Sequence, residues 1–192
     1  MSCRKGTDVD QRALVERARE GDRDAFALLA RAAASRLDAA ARLILRDPEL
    51  ARDAVQEALI RAWRDLPGLR DVDRFDAWFH RLLVHAAIDE ARRRKRRVVE
   101  VVLDPLDMPI AADDISLTAD RDALDRALAS LTPEYRALVV MHYYLGISVP
   151  DAAASLGITL GTAKSRLHRA IGTLRVAFSV ESESRTHVGG RA

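Results

Sequence analysis

Apolar residues in this chain recur every three or four positions, and nowhere do Val, Ile, Thr and aromatic residues alternate with period two over a useful length. That pattern argues against half-buried strands and for amphipathic helices, so the expected fold class is all-α. The breaks between patterned segments carry helix-start chemistry. Asp47-Pro48 sets a side-chain acceptor before a proline at the first helical position, where its missing N–H costs nothing. Thr132-Pro133 repeats the device, and Asp73-Arg74-Phe75-Asp76 and Ser148-Val149-Pro150-Asp151 read as capping boxes.

These signals predict helices over residues 11–19, 24–46 and 48–66, and a fourth from Arg74 into the basic run that ends at Arg97. The inward candidates are Phe26, Leu29, Leu37, Ala41 and Ile44 on the second helix. On the third they are Val55, Leu59, Ala62, Trp63 and Leu66, and on the fourth Phe75, Trp78, Phe79 and Leu82. Residues 98–115 contain two prolines and several aspartates without a sustained period, which predicts an irregular linker. Helices resume over 117–130 (Leu124, Ala127, Leu128 and Leu131 inward), 133–145, 149–156 and 160–178. The polar tail 179–192 reads as disordered. Two small helical domains are expected, at 10–97 and 116–178.

The net charge of +2 says little, but its distribution is uneven. Residues 91–97 read ARRRKRR, and 159–178 hold Lys164, Arg166, Arg169 and Arg175 without an acid. Between them, 104–125 hold seven aspartates against Arg121 alone. Two basic patches around an acidic connector suggest two contacts with a polyanion.

Several function classes find no support. Cys3 is the sole cysteine, so no internal disulfide or cysteine-based zinc site is expected. No apolar run reaches membrane-span length, and the N-terminus lacks the apolar core of a secretory signal, so the expected location is the cytoplasm, without membrane insertion. His80, His85, His142, His168 and His187 show no metal-ligand spacing. Asp71-Val72-Asp73 begins like a calcium loop but lacks its glycine and terminal glutamate. With no phosphate-binding glycine loop and no nucleophile motif, neither enzymatic activity nor a cofactor is expected.

The segment from Val149 to Leu174 reads as a helix-turn-helix. Ala152, Ala153 and Ala154 permit close helix crossing, Gly157 permits a turn with positive φ, and Ile158, Ala163 and Leu167 can pack inward. Thr162, Lys164, Ser165, Arg166, His168 and Arg169 then occupy the exposed and flanking faces of the second helix. Basic and hydroxylic side chains without acids suit the major groove, where some hold phosphate and some read base edges. The plainer reading is a helical hairpin with a solvated basic face. The alanine-rich first helix, glycine turn and acid-free second helix together favour DNA binding.

Beyond this motif, DAVQEALIRAWRDLPG followed by FDAWFHRLLVHAAIDEARRRKRR resembles region 2 of bacterial sigma factors. LTPEYRALVVMHYYLGISVPDAAASLGITLGTAKSRLHRAIGTLR resembles their region 4. Two such domains with a linker too short for a third resemble the extracytoplasmic-function, or group IV, class of the sigma-70 family.

The resemblance implies a subunit that binds core RNA polymerase and directs it to promoters. Residues 48–66 are then expected to meet the β′ clamp through Asp53, Gln56, Glu57, Ile60, Arg61 and Arg64, with the β flap as a further polymerase contact. The loop residues Leu69, Arg70, Asp71 and Val72 are expected to hold an extruded base of the −10 element, since extrusion costs a few kcal/mol that a pocket must return. Arg92, Arg93, Arg94, Lys95 and Arg96 are expected on −10 phosphates, and Thr162, Lys164, Ser165, Arg166, His168 and Arg169 at the −35 element. His85 stands where the family often has asparagine, in a region that touches −10 DNA. The resemblance also admits an anti-sigma protein as a partner. Phe75, Trp78 and Phe79 invite a base-stacking role, but their i, i+3, i+4 spacing is that of core. The alternatives are a stand-alone helix-turn-helix regulator and a helical interaction protein with incidental basic patches. Gln56-Glu57 beside Ile60, and the acidic connector, favour the polymerase subunit.

Overall fold

The computed structural model describes residues 5–101 and 119–188, with side chains at 11–97 and 124–176. Eight α-helices and no strand occur among them: α1 (Lys5–Arg19), α2 (Arg23–Leu45), α3 (Pro48–Asp65), α4 (Phe75–Val101), α5 (Ala119–Ala129), α6 (Pro133–Val139), α7 (Val149–Ser155) and α8 (Leu160–Val188). Short 3-10 turns at Leu66–Gly68 and Val72–Arg74 join α3 to α4, and α6 continues into a π-turn at Val140–Tyr144. The expected linker 98–115 overlaps the end of α4, and beyond Val101 it lies outside the described residues.

The caps show why the chain breaks where it does. Asp22 accepts from the backbone N–H groups of Asp24 and Ala25 to start α2. Asp47 does the same for Glu49 and Leu50 at α3, ahead of Pro48. Ser148 accepts from the N–H of Asp151 at 3.2 Å and donates its hydroxyl to the Asp151 carboxylate at 2.6 Å, which caps α7 at the expected residue. Two expected caps differ. Thr132 holds the N-cap position of α6 without a side-chain cap bond. Before α4 it is Asp71 that accepts, from the N–H of Asp73, while the Asp73 carboxylate turns to Arg12 at 3.0 Å. That longer-range ion pair outcompetes the local box.

Helices α2, α3 and α4 pack on one another through small residues. The fully buried positions of α3 are Ala51, Ala54, Ala58 and Ala62, one stripe at i, i+3, i+7 and i+11. Ala40 and Ala41 of α2 and Ala86 and Ala87 of α4 are equally buried. Larger groups flank these approaches. Phe75 and Phe79 are buried with ring centroids 5.4 Å apart, and half-buried Phe26 lies 5.2 Å from Trp63. Leu29, Leu37, Ala41 and Ile44 are buried as expected, and Trp78 is half-buried against Phe75.

Three elements depart from the sequence reading. The expected helix over 133–145 is interrupted by the π-turn, where the N–H of Leu145 bonds the carbonyl of Val140 and that of Ile147 bonds the carbonyl of Met141. One extra residue per turn leaves no mark in a 3.6-residue pattern. Leu124, expected inward, is exposed. Helix α8 runs on to Val188 across most of the tail read as disordered; no glycine or proline interrupts it between Gly172 and Gly189.

The second half of the chain packs against the first. Helix α6 and its π-turn meet α2 and α4, and a single apolar core holds Leu37, Ile44 and Leu83 together with Leu138, Met141, Leu145, Ala152 and Ala163. A smaller cluster, Ala127, Leu128, Leu131, Val139, Ala170 and Leu174, closes α5 onto α6 and α8.

Candidate nucleic-acid and partner interfaces

Three surfaces gather the residues singled out in the sequence. The first is the outer face of α3, opposite its alanine stripe. Asp53, Gln56, Ile60 and Arg64 are exposed there, and Ile60 keeps 53% of its surface open. Arg64 pairs with the neighbouring Asp65 at 2.7 Å. Glu57 and Arg61 are half-buried and spoken for. The Arg61 guanidinium donates to Glu57 at 2.7 Å and to Asp89 of α4 at 3.2 and 3.3 Å. Hydrogen bonding to Glu57 above all strengthens its hold on its proton. Arg61 is thus a brace between α3 and α4.

The second surface combines the α3–α4 connection with the far end of α4. Arg70 and Asp71 are exposed, but Leu69 and Val72 are buried. These two apolar residues anchor the loop in the core and do not line an open pocket, which corrects their expected place; burial of apolar surface decides their direction. Arg12 and Gln11 of α1 hold the connection from outside, through Asp73 and through Asp76 at 2.7 Å.

The basic run at the end of α4 divides in two. Buried Glu90 accepts from Arg93 at 3.0 Å and from Arg97 at 3.2 Å. Arg94 reaches the free oxygen of the α3 cap, Asp47, at 2.6 Å. Arg92 stands 4.0 Å from Glu134 of α6. Lys95 and Arg96 are exposed and form no ion pair among the described residues. The sequence showed six like charges; the partners of four of them lie elsewhere in the chain or one to two helical turns back.

The third surface is the helix-turn-helix. Gly157 adopts φ +64°, and the N–H of Ile158 reaches back to the carbonyl of Ala153 at 3.1 Å, turning the chain from α7 to α8. Thr159 accepts from the N–H of Thr162 at 3.1 Å, and the two hydroxyls meet at 2.9 Å, so half-buried Thr162 belongs to the cap of α8. Ala163 is fully buried, with Ile158 and Leu167 packed partly inward. Lys164, Ser165, His168 and Arg169 form the open face. Arg166 is half-buried, its guanidinium carbon 5.9 Å from the ring centroid of Tyr135 on α6, a cation–π contact that turns it from that face.

Sequence reasoning missed the ties between the two halves. The ring Nε2 of His85 lies 2.5 Å from the carbonyl oxygen of Ser155; a carbonyl only accepts, so the ring N–H donates. Arg36 donates to the carbonyls of Tyr144 and Leu145 at 3.2 and 3.4 Å. Buried Arg136 donates to Leu128, Leu131 and, across the seam, Ile44. An open cleft lies beside His85, with Arg61, Asp89 and Arg92 on one wall and Ser155 and Gly157 on the other. Only the unusual His85 could have been noticed from sequence, and its partner not at all. Among the described residues, no cluster of His, Cys, Asp and Glu could hold a metal, and no helix is long and apolar enough to cross a membrane.

Comparison with known proteins agrees with this arrangement. The sigma-70 region 2 family profile matches residues 29–97, and the sigma-70 region 4 profile matches residues 121–174. The chain is 38% identical over 135 residues to the ECF RNA polymerase sigma factor SigL of Mycobacterium tuberculosis, covering 69% of this chain and 76% of the relative. It is 38% identical over 150 residues to SigM of the same organism, covering 78% and 75%. The structure of CnrH in complex with the cytosolic domain of CnrY superposes with a TM-score of 0.62 at 26% identity, over 89% of this chain and 98% of that one. The sigma factor RpoE in complex with the anti-sigma factor NepR from Bartonella quintana gives 0.63 at 27%, over 80% and 94%. With region 2 carrying the α3 face and the basic end of α4, and region 4 carrying the helix-turn-helix, the chain belongs to the ECF sigma factors of the sigma-70 family.

Proposed function

We propose that this sigma factor meets the β′ clamp of core RNA polymerase through Asp53, Gln56 and Ile60 of α3, with Arg64 at the edge, and that Glu57 and Arg61 shape this face. Ile60 stands open beside Gln56 and Arg64 on the face of α3 that lies opposite its buried alanine stripe. Lys95 and Arg96 contact phosphates near the −10 element, with Arg70 and Asp71 at the loop where a base is extruded. Lys164, Ser165, His168 and Arg169 read the −35 element, and Arg166 and Thr162 set the pose of α8. The observation that carries this reading is the four-residue, acid-free open face of α8, joined in one chain to an exposed Lys95–Arg96 patch on a separate domain.

The protein acts by binding energy and DNA distortion, with the polymerase performing the chemistry, and it works in the cytoplasm. The two solved relatives described above are complexes with a second chain, one of them named an anti-sigma factor. A comparable inhibitory partner is proposed here. Run-off transcription with purified core polymerase tests the reading: specific initiation should require the chain. A chain that shifts duplex DNA yet neither binds core nor supports initiation would be a stand-alone regulator instead.

A further inference from the structure

We propose that Arg12 and Gln11 of α1 are positioning residues for base capture, holding the α3–α4 loop in the pose in which Arg70 and Asp71 meet the extruded base. This rests on the reading of that loop as the place of base extrusion, and it brings in a helix outside both DNA patches. Helix α1 is firmly seated: Val15 and Ala18 are buried in the main core, Leu14 packs against it, and the helix lies against both 3-10 turns of the loop. Its polar side reaches across to the loop. Arg12 Nη1 donates to both carboxylate oxygens of Asp73, at 3.0 and 3.1 Å, and its Nε donates to Glu16 one turn on at 3.1 Å, which steadies the guanidinium. The Gln11 amide donates to Asp76 at 2.7 Å. These bonds grip the turn Val72–Arg74 and the first turn of α4 from outside. Buried Leu69 and Val72 grip the loop from inside. Arg70 and Asp71 stand exposed between those two anchors.

Neither tether is needed to start α4, because Asp71 already accepts from the N–H of Asp73 and the N–H of Phe75 bonds the carbonyl of Val72. As stabilisers of the whole fold they are weak: the Arg12 and Asp73 side chains are 54% and 67% exposed, and ion pairs in water contribute little. Their effect is local. A loop that samples several poses binds a base more weakly in proportion to the time it spends out of place. A base pulled from its stack has lost its pairing and stacking, so the site that receives it gains from being formed beforehand. Two exposed tethers can shift such a population by about two- to tenfold. The third acid of this segment, Asp71, stands 3.6 Å from Arg74, so it makes no demand on α1.

The test uses holoenzyme assembled from core polymerase and the full chain. The probes are single-stranded non-template oligonucleotides spanning the −10 element of a promoter found by run-off transcription, with each base in turn replaced by an abasic site. Wild type should bind the intact strand at least about fivefold tighter than the strand abasic at the captured position. Arg12→Ala with Gln11→Ala should cut that preference by about two- to tenfold, by weakening the intact strand far more than the abasic one. Asp73→Ala removes the anchor but leaves Arg12, and should cut the preference in smaller measure, while Arg12→Lys should keep most of it. Circular dichroism and thermal melting verify folding, and Arg12→Ala alone, at an exposed side chain, decides the matter if the double variant melts early. A folded double variant with the wild-type preference would overturn the proposal. So would equal weakening on intact and abasic strands with Asp73→Ala tightening both, which would make Arg12 a plain phosphate contact. A wild type indifferent to every abasic site would overturn the extrusion reading together with the proposal; a sensitive wild type with insensitive variants overturns the proposal alone.

Discussion

The Nε of Arg136 donates to the carbonyl oxygen of Ile44, 92 residues earlier in the chain, at 2.5 Å. Its NH1 takes the carbonyls of Leu131 at 2.7 Å and Leu128 at 3.2 Å. Among the described residues no carboxylate pairs with this guanidinium, which is 8% exposed, and burial pulls its pKa down to about 10. It remains charged at neutral pH and holds three carbonyls, at the ends of α2 and α5 and in the α5–α6 turn, in a fork that only arginine provides.

Arg136→Met is therefore expected to orphan those carbonyls and cost about 2–4 kcal/mol, at about 1–3 kcal/mol for each buried group left unpaired, offset by the buried charge removed. Arg136→Lys should recover little, because one ammonium cannot serve all three directions. Urea unfolding of both variants decides this; a lysine variant as stable as wild type would show that charge, not the fork, matters.

Arg46 caps α2 with φ +55°, a left-handed conformation that a side chain disfavours, and its charge opposes that of Arg136. Arg46→Gly should stabilise the protein by about 0.5–1 kcal/mol, the roughly 1–2 kcal/mol left-handed penalty less the entropy glycine adds to the unfolded chain. A fall in melting temperature would contradict this account.

On the open face of α8, Arg169→Ala should weaken −35 recognition by about 1–3 kcal/mol if it reads a base. Arg166→Ala should mainly lower stability, since Arg166 packs over Tyr135. Binding to −35 duplexes with single base changes separates the two: Arg169→Ala should flatten the base preference and Arg166→Ala should preserve it.

For core binding, the pair Gln56→Ala and Ile60→Ala should reduce affinity with the fold intact, because both side chains are open to solvent. Arg61→Ala should instead loosen α3 from α4, since Arg61 joins Glu57 to Asp89. Equal melting temperatures for wild type and Arg61→Ala would refute the bracing role.

His80 is buried, and desolvation, aided by the nearby Arg36 charge, lowers its pKa below the usual 6.5, with Asp76 opposing weakly. The folded state then binds its proton less readily than the unfolded state. This contribution to stability is fully present above pH 6.5 and is lost as pH falls through the lowered folded value. His80→Gln should flatten the decline in denaturation midpoint between pH 7.5 and 5. An unchanged slope would assign the decline to other groups.

The sequence by itself determined the all-helical class, the main caps at Asp47 and Ser148, the two-region order and the helix-turn-helix. Each of these rests on local signals: 3.6-residue periodicity, a capping side chain within three residues, a glycine at a turn with positive φ. It also yielded the open residues of α8, since alternation of Ala163 with Lys164 and Ser165 is enough to orient a helix. Only the tertiary structure decided which charges are free. Arg93 and Arg97 read like Lys95 and Arg96 in sequence, yet the first pair closes on Glu90 and the second does not. Leu69 and Val72 read as loop residues, but burial turns them inward. His85 and Arg136 find carbonyls 70 and 92 residues away, and backbone carbonyls are chemically alike at every position. A side chain's identity specifies what it can donate; which helix end lies within its reach is set by packing, which no local pattern encodes.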